Sequence, residues 1–259
     1  MPLDRAALRA HLDQALRPQP WALAFWEGGS AAFGRLDAFS DLDLGLIVED
    51  HAVSEAFAQV EAALSTLSPI ADRWVAAADT DPKPQRYYRT RDTDPHLLID
   101  LGVFPVSTPA TERFLEPRRH GHADVIFDKG DHTQTAPPDP VAFTQHLASR
   151  VRYLRDRVAL LRDLPLKAAR RGEAAEALLF YQAFCLRPLT ELLRIQHDPW
   201  RHDFDVRYLR YDLPAPVRER LWRLYFVSDL NALVAHHAEA QARLQDLFAE
   251  LDAAPPGVS

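Results

Sequence analysis

The chain has little of several things: one cysteine, one methionine, three lysines and nine glycines in 259 residues. A single thiol, Cys185, excludes an internal disulfide and a multi-cysteine zinc site. Set in the apolar run "ALLFYQAFCL", it reads as a small core residue. That run is too short to span a bilayer, and the opening "MPLDRAALRAHLDQAL" lacks the apolar core of a signal peptide, so the expectation is a cytoplasmic protein without a membrane anchor. An excess of basic residues is missing too, since the formal net charge is −7. The deficit is uneven: residues 1–139 carry 13 Lys and Arg against 22 Asp and Glu, and the remainder 17 against 15. Phosphate neutralisation dominates binding to a long nucleic acid, so an acidic N-terminal half argues against a polymer substrate. Internal repeats and low-complexity tracts are absent. With 47% hydrophobic and 26% charged residues, the composition is that of a globular protein, long enough for one large domain or two modest ones.

What is there divides into two halves. In the first, "LDRAALRAHLDQAL" repeats Leu8, Leu12 and Ala15 at helical spacing, and "WALAFWE" is a strand running into glycines. "SEAFAQVEAALSTL" sets Phe57, Val60, Leu64 and Leu67 on one helical face, with Ser54 as the expected N-cap. "IADRWVAAA", "RYYRT" and "HLLIDLGVF" follow as strands. The prolines of "GDHTQTAPPDPVAF" mark a boundary, and Asp139-Pro140 is a cap and first residue for a helix whose stripe is Leu147, Val151, Leu154, Val158 and Leu161. "GEAAEALLFYQAFCLRPLTELLRIQ" is a second long helix with a kink expected at Pro188. After the loop-like "HDPWRHDFDVRYLRYDLP", two more helices surround Leu221 to Leu230 and Leu233 to Leu251. The expected fold class is α+β: a mixed sheet with helices over residues 1–135, then an α-helical bundle over 136–259.

The chemistry concentrates in "WEGGSAAFGRLDAFSDLDLGLIVED", which holds four of the nine glycines, Gly28, Gly29, Gly34 and Gly45. Side chains two apart on a strand leave the same face, so Asp41 and Asp43 are expected side by side. Adjacent carboxylates repel unless a cation lies between them. Sites that use two divalent ions about 4 Å apart for in-line displacement at phosphorus need such groups, with a third carboxylate from a neighbouring strand. Asp100, alone among the apolar residues of "HLLIDLGVF", offers one; buried there without a partner, its charge would cost several kcal/mol. Upstream, a glycine turn leading from a strand into a short helix presents N–H groups to an anion, and Ser30 adds a hydroxyl.

Gly29-Ser30, a ten-residue spacer and Asp41-Leu42-Asp43-Leu44 together resemble the signature of the DNA polymerase β nucleotidyltransferase superfamily. The helical second half is similar to the small-molecule branch, the aminoglycoside and lincosamide nucleotidyltransferases. The motif covers about a tenth of the chain. It departs from the pattern just before the glycine pair, where Glu27 or Gly28 stands in place of an apolar residue. The resemblance implies transfer of a nucleoside monophosphate, AMP from ATP foremost, to the hydroxyl of a small molecule, with pyrophosphate released and two Mg²⁺ ions as cofactors. It implies that Gly28, Gly29 and Ser30 hold the outer phosphates, that Ser40 touches the triphosphate, and that Asp41, Asp43 and Asp100 ligate metal. It gives Asp100 the further role of accepting the acceptor's proton.

Other residues carry weaker signals. Arg35 and Lys167 could approach phosphates, yet a solvated surface cation is the commoner role. Glu173, Glu176 and Glu191 could supply a base, against a plain solvated helix face. "HGHAD" and "HDPWRHDFD" lack zinc-ligand spacing. Rival functions are a protein-modifying nucleotidyltransferase, a non-catalytic nucleotide-binding or interaction module and, more weakly, an RNA-modifying enzyme. The acceptor's identity, the nucleotide base and the oligomeric state stay open.

Overall fold

The structure is a computed structural model describing residues 3–254. The chain divides into two compact units, one ending at Pro137 and the next beginning at Pro138. The first unit is built on a six-stranded sheet ordered β3-β4-β5-β2-β1-β6. Its strands are β1 (Ala22–Glu27), β2 (Leu42–Val48), β3 (Ile70–Ala77), β4 (Gln85–Thr90), β5 (Ile99–Pro105) and β6 (Asp124–Asp128). Only β2 and β5 run parallel; every other neighbour is antiparallel. The helices are α1 (Arg5–Leu16), the single turn α2 (Gly29–Ala32), α3 (Val53–Leu67) and the short α4 (Pro117–His120).

Alternation along the strands assigns each face. Phe25, Leu44, Leu46, Leu101 and Val103 join Leu8, Leu12 and Leu16 of α1 and Phe57, Val60 and Leu64 of α3 in one buried core. Each such side chain stabilises the fold by about 1.5–3 kcal/mol relative to exposure. Asp4 caps α1 through its carboxylate and the Ala7 amide. The opposite face is covered at one end by Ala24, Trp26, Ile47, Phe104 and Leu115. There the Trp26 ring lies over Gly45, where any Cβ would overlap it, and stacks on Phe104 at 5.6 Å. Ser54 does not cap α3; Ala52 holds that position, and the Ser54 hydroxyl donates to Asp79 at 2.7 Å. A partner on the following hairpin competes with the local cap, and it is invisible in sequence.

The second unit is helical: α5 (Pro140–Leu161), α6 (Leu164–Arg170), α7 (Ala174–Tyr181), α8 (Arg187–His197), α9 (Leu209–Asp212), α10 (Ala215–Tyr225) and α11 (Leu230–Ala253). The Asp139 carboxylate caps α5 with Pro140 in its first turn. Leu147, Val151, Leu154 and Val158 are buried, while Leu161, the last residue of the helix, is half-buried. In place of a sharp proline kink, α7 passes into α8 through a wide π turn at Gln182–Leu186. Such a turn absorbs the missing N–H and the ring of Pro188 without breaking the helix. Cys185 lies in this turn, fully buried and receiving a Gln241 Nε2 hydrogen bond at 3.3 Å. Among the described residues no helix is long and apolar enough to cross a membrane.

Candidate active site

The parallel pairing of β2 and β5 places Asp43 directly opposite Asp100. Residues opposite each other project from the same face, so two half-buried carboxylates from segments 57 residues apart meet on the face opposite the helix-covered core. Burial and neighbouring like charge raise the proton affinity of both carboxyls. Burial, with the charges of Asp100 and Asp41, pushes Asp43 up to about 6. Burial also raises Asp100, opposed by hydrogen bonds from Gln85 and Tyr87. Gln85 Nε2 donates to Asp100 Oδ1 at 2.7 Å and to the Tyr87 hydroxyl oxygen at 2.8 Å. Both side chains thereby fix the orientation of the carboxyl.

Asp41 precedes Asp43 by two positions at the entry of the strand. It lies one residue before β2, and its Oδ1 accepts the Leu98 amide at 3.3 Å. The bond ties the entry of β2 to the entry of β5, while the Asp41 charge still acts on Asp43 and Asp100. Among the described residues no three His, Cys, Asp or Glu side chains are gathered closely enough to hold a metal ion. The pair sharing one register position is Asp43 and Asp100. Two hard oxygen donors of one sign, held together against desolvation and repulsion, form a donor set that fits a divalent cation such as Mg²⁺.

The glycine turn adjoins this pair. The Gly28 amide donates to the Asp43 carbonyl at 2.8 Å, so it serves the turn and is not a donor to an anion. Gly29, Ser30 and Ala31 lie in the first turn of α2, where amides have no partner within the helix. Gly29 has φ +53°, and a Cβ on it would lie 1.7 Å from Asp43 Oδ2. Glycine is required here twice over, for the left-handed backbone and for the close approach of the acid. The Ser40 hydroxyl donates to Asp37 Oδ1 at 3.0 Å and accepts the Asp37 amide at 2.9 Å, closing a turn in the spacer. Arg35 packs its guanidinium over the Phe33 ring at 4.8 Å.

Glu27, just before the glycine pair, has charged partners. Glu27 is buried on the core face beneath α1, where Arg5 bonds its Oε1 and Arg9 Nε lies 3.2 Å from its Oε2. Desolvation raises Glu27, and the two arginines oppose that. An ion pair replaces an apolar contact between strand and helix, and Arg5 also brings a positive charge to Asp43. Arg5 and Arg9, one helical turn apart, were readable as one face of α1; the acid facing them was not.

In the helical unit Glu173, Glu176 and Lys167 are exposed. Glu191 is committed: Arg150 Nε and Nη2 donate to its two oxygens at 2.5 and 2.9 Å, and His202 Nδ1 lies 3.4 Å away. These partners hold its carboxyl below the usual range despite burial, the opposite of what a poised base requires. The segment Pro199 to Asp212 is anchored by fully buried Arg194, which donates to the Asp205, Arg201 and Arg207 carbonyls and pairs with Asp212 at 2.8 Å. Searches against models of known protein families and against curated proteins find no significant match to this chain.

Proposed function

We propose that the protein is a metal-dependent nucleotidyltransferase that moves a nucleoside monophosphate, AMP from ATP foremost, to a hydroxyl of a small molecule. One observation carries this reading: Asp43 faces Asp100 in register while Gly29, free of a side chain, lies against Asp43. Both features support the reading, since a triphosphate with its metal needs paired carboxylates beside a turn with unpartnered amides. Asp43 and Asp100 would hold Mg²⁺, with Asp41 adding charge at their edge. Bound there, Mg²⁺ would neutralise the phosphates and stabilise charge developing on the transferred group.

The chain's own residues then divide the remaining work. Gly29 and Ser30 position the outer phosphates through backbone amides and the Ser30 hydroxyl. Gln85 and Tyr87 hold the Asp100 carboxyl so that it accepts the proton of the attacking hydroxyl. That oxygen bonds to the α-phosphorus, the bond from the α-phosphorus to the bridging oxygen breaks, and pyrophosphate leaves. A small acceptor agrees with an acidic first half that suits cationic ligands better than nucleic acid, an aminoglycoside-like compound being the first class to examine. The test is Mg²⁺-dependent binding of ATP by calorimetry, in the wild type and in Asp41→Asn and Asp43→Asn. The expected result is loss of binding in folded variants; equal affinity in all three would reject the site. Labelled triphosphate offered with aminoglycosides and then with cell lysate separates small-molecule from protein acceptors.

A further inference from the structure

The carboxylate row continues across the sheet. Asp43 faces Asp100, Asp100 faces Tyr87 of β4, and Tyr87 faces Trp74 of β3. The four side chains therefore share one face, in line across four neighbouring strands. The Trp74 and Tyr87 rings stack at 5.2 Å with planes 17° apart. No core covers the indole: Trp74 lies on an edge strand and is 64% exposed. An open groove of about 340 Å³ runs beside the pair, lined also by Asp72, Arg89 and Leu98. Leu98 is the residue whose amide bonds Asp41, so one groove wall is hydrogen-bonded to the first acid.

The two sides of the carboxylates are not equivalent. The glycine turn adjoins Asp43 on the β1 side, and the aromatic pair lies beyond Asp100 on the opposite side. In-line displacement puts the leaving group and the attacking oxygen on opposite sides of the phosphorus. If pyrophosphate leaves from the glycine turn, the hydroxyl enters from the side of Asp100 and the aromatic shelf. We infer that Trp74 and Tyr87 form the acceptor platform, taking a hydroxylated ring such as a sugar or aminocyclitol whose C–H face packs on the indole while a hydroxyl reaches Asp100. This rests on the nucleotidyltransfer reading above. Asp72 and Arg89, opposite each other in register at the platform's margin, supply polar contacts to ring substituents. The groove volume is at the lower end of small-molecule sites and matches a ligand of one or two rings.

The test is NMR of the five indole N–H groups, with Trp74 assigned by Trp74→Phe. Methyl glucoside and 2-deoxystreptamine serve as ring probes at millimolar concentration, and α,β-methylene ATP with Mg²⁺ serves as the donor analogue. The ring probes should shift the Trp74 resonance, and the donor analogue alone should leave it in place. Trp74→Ala should weaken probe binding about tenfold in a calorimetric titration, the scale of one lost aromatic contact. A Trp74 shift caused by the donor instead makes the shelf a base-stacking site and overturns the proposal, as does a resonance that no probe moves. Failure of the underlying reading looks different: the donor analogue then fails to bind, whatever the ring probes do.

Discussion

Asp43→Asn should stabilise the metal-free protein while removing its function. The Asp43 carboxyl stands at about 6, against 3.8 for an unperturbed aspartate, because it is desolvated and faces Asp100 and Asp41. A carboxyl whose folded value lies above its unfolded value takes up a proton more readily when folded. Its ionisation therefore opposes folding, by an amount that grows as pH rises from about 4 and is complete above about 6. At 1.36 kcal/mol per pH unit the displacement corresponds to a ceiling of about 3 kcal/mol. Solvent reaches a half-buried carboxyl, so about 1–2 kcal/mol is the working figure. Asparagine keeps the shape against Gly29 and removes the charge, so the melting temperature should rise by about 3–6 °C at pH 7.5 in EDTA. Below about pH 4 Asp43 is protonated in the folded and the unfolded chain alike, and the gap should close. Saturating Mg²⁺ with ATP should raise the wild-type midpoint and leave the variant where it was. A variant no more stable than wild type at pH 7.5 without metal would refute the argument that these acids are held together against repulsion.

Three further outcomes follow from other contacts. Gly29→Ala meets both a positive φ and the Asp43 side chain, so it should abolish Mg²⁺-dependent ATP binding and lower stability by about 1–3 kcal/mol; calorimetric binding equal to wild type would show that the turn does not abut the site. Arg194→Met leaves fully buried Asp212 without its main partner and should lower the unfolding free energy by about 3–5 kcal/mol in urea titration, with a smaller loss when combined with Asp212→Leu. Burial pushes the Cys185 thiol up to about 11, so a disulfide reagent at pH 8 should modify it slowly in the native protein and at once in denaturant; rapid native reaction would contradict its place in the π turn.

How much was legible differs between elements. Helical stripes such as Leu147, Val151, Leu154 and Val158, and strands such as "WALAFWE", announce themselves because burial on one face imposes a period on the chain. Gly29 and Asp43 were legible as members of one local motif, and Asp100 as a charge in an apolar strand. Ser54 was misread as a cap, and the Ser40 partner was not legible, for a common reason. A hydroxyl can satisfy several neighbours, and which one it finds depends on chain brought close by folding, Asp37 in one case and Asp79 in the other. Glu27 looked like a flaw in the motif because its arginine partners lie on a helix some twenty residues earlier.

By itself, then, the sequence determined most of the strands, the long helices and the residues able to carry charge chemistry, since these depend on local pattern and composition; it missed β6 and α6, and the helix expected over Leu221 to Leu230 ends at Tyr225. Only the tertiary structure decided their partners. The parallel register of β2 and β5 makes a pair of Asp43 and Asp100, the entry of β2 turns Asp41 to the Leu98 amide, and the β3–β4–β5 pairing extends the row to Tyr87 and Trp74. Strand order and register are set by how whole apolar faces fit against α1 and α3. No short stretch of residues encodes that fit, and a slip of one position in either strand would have carried its acid into the core.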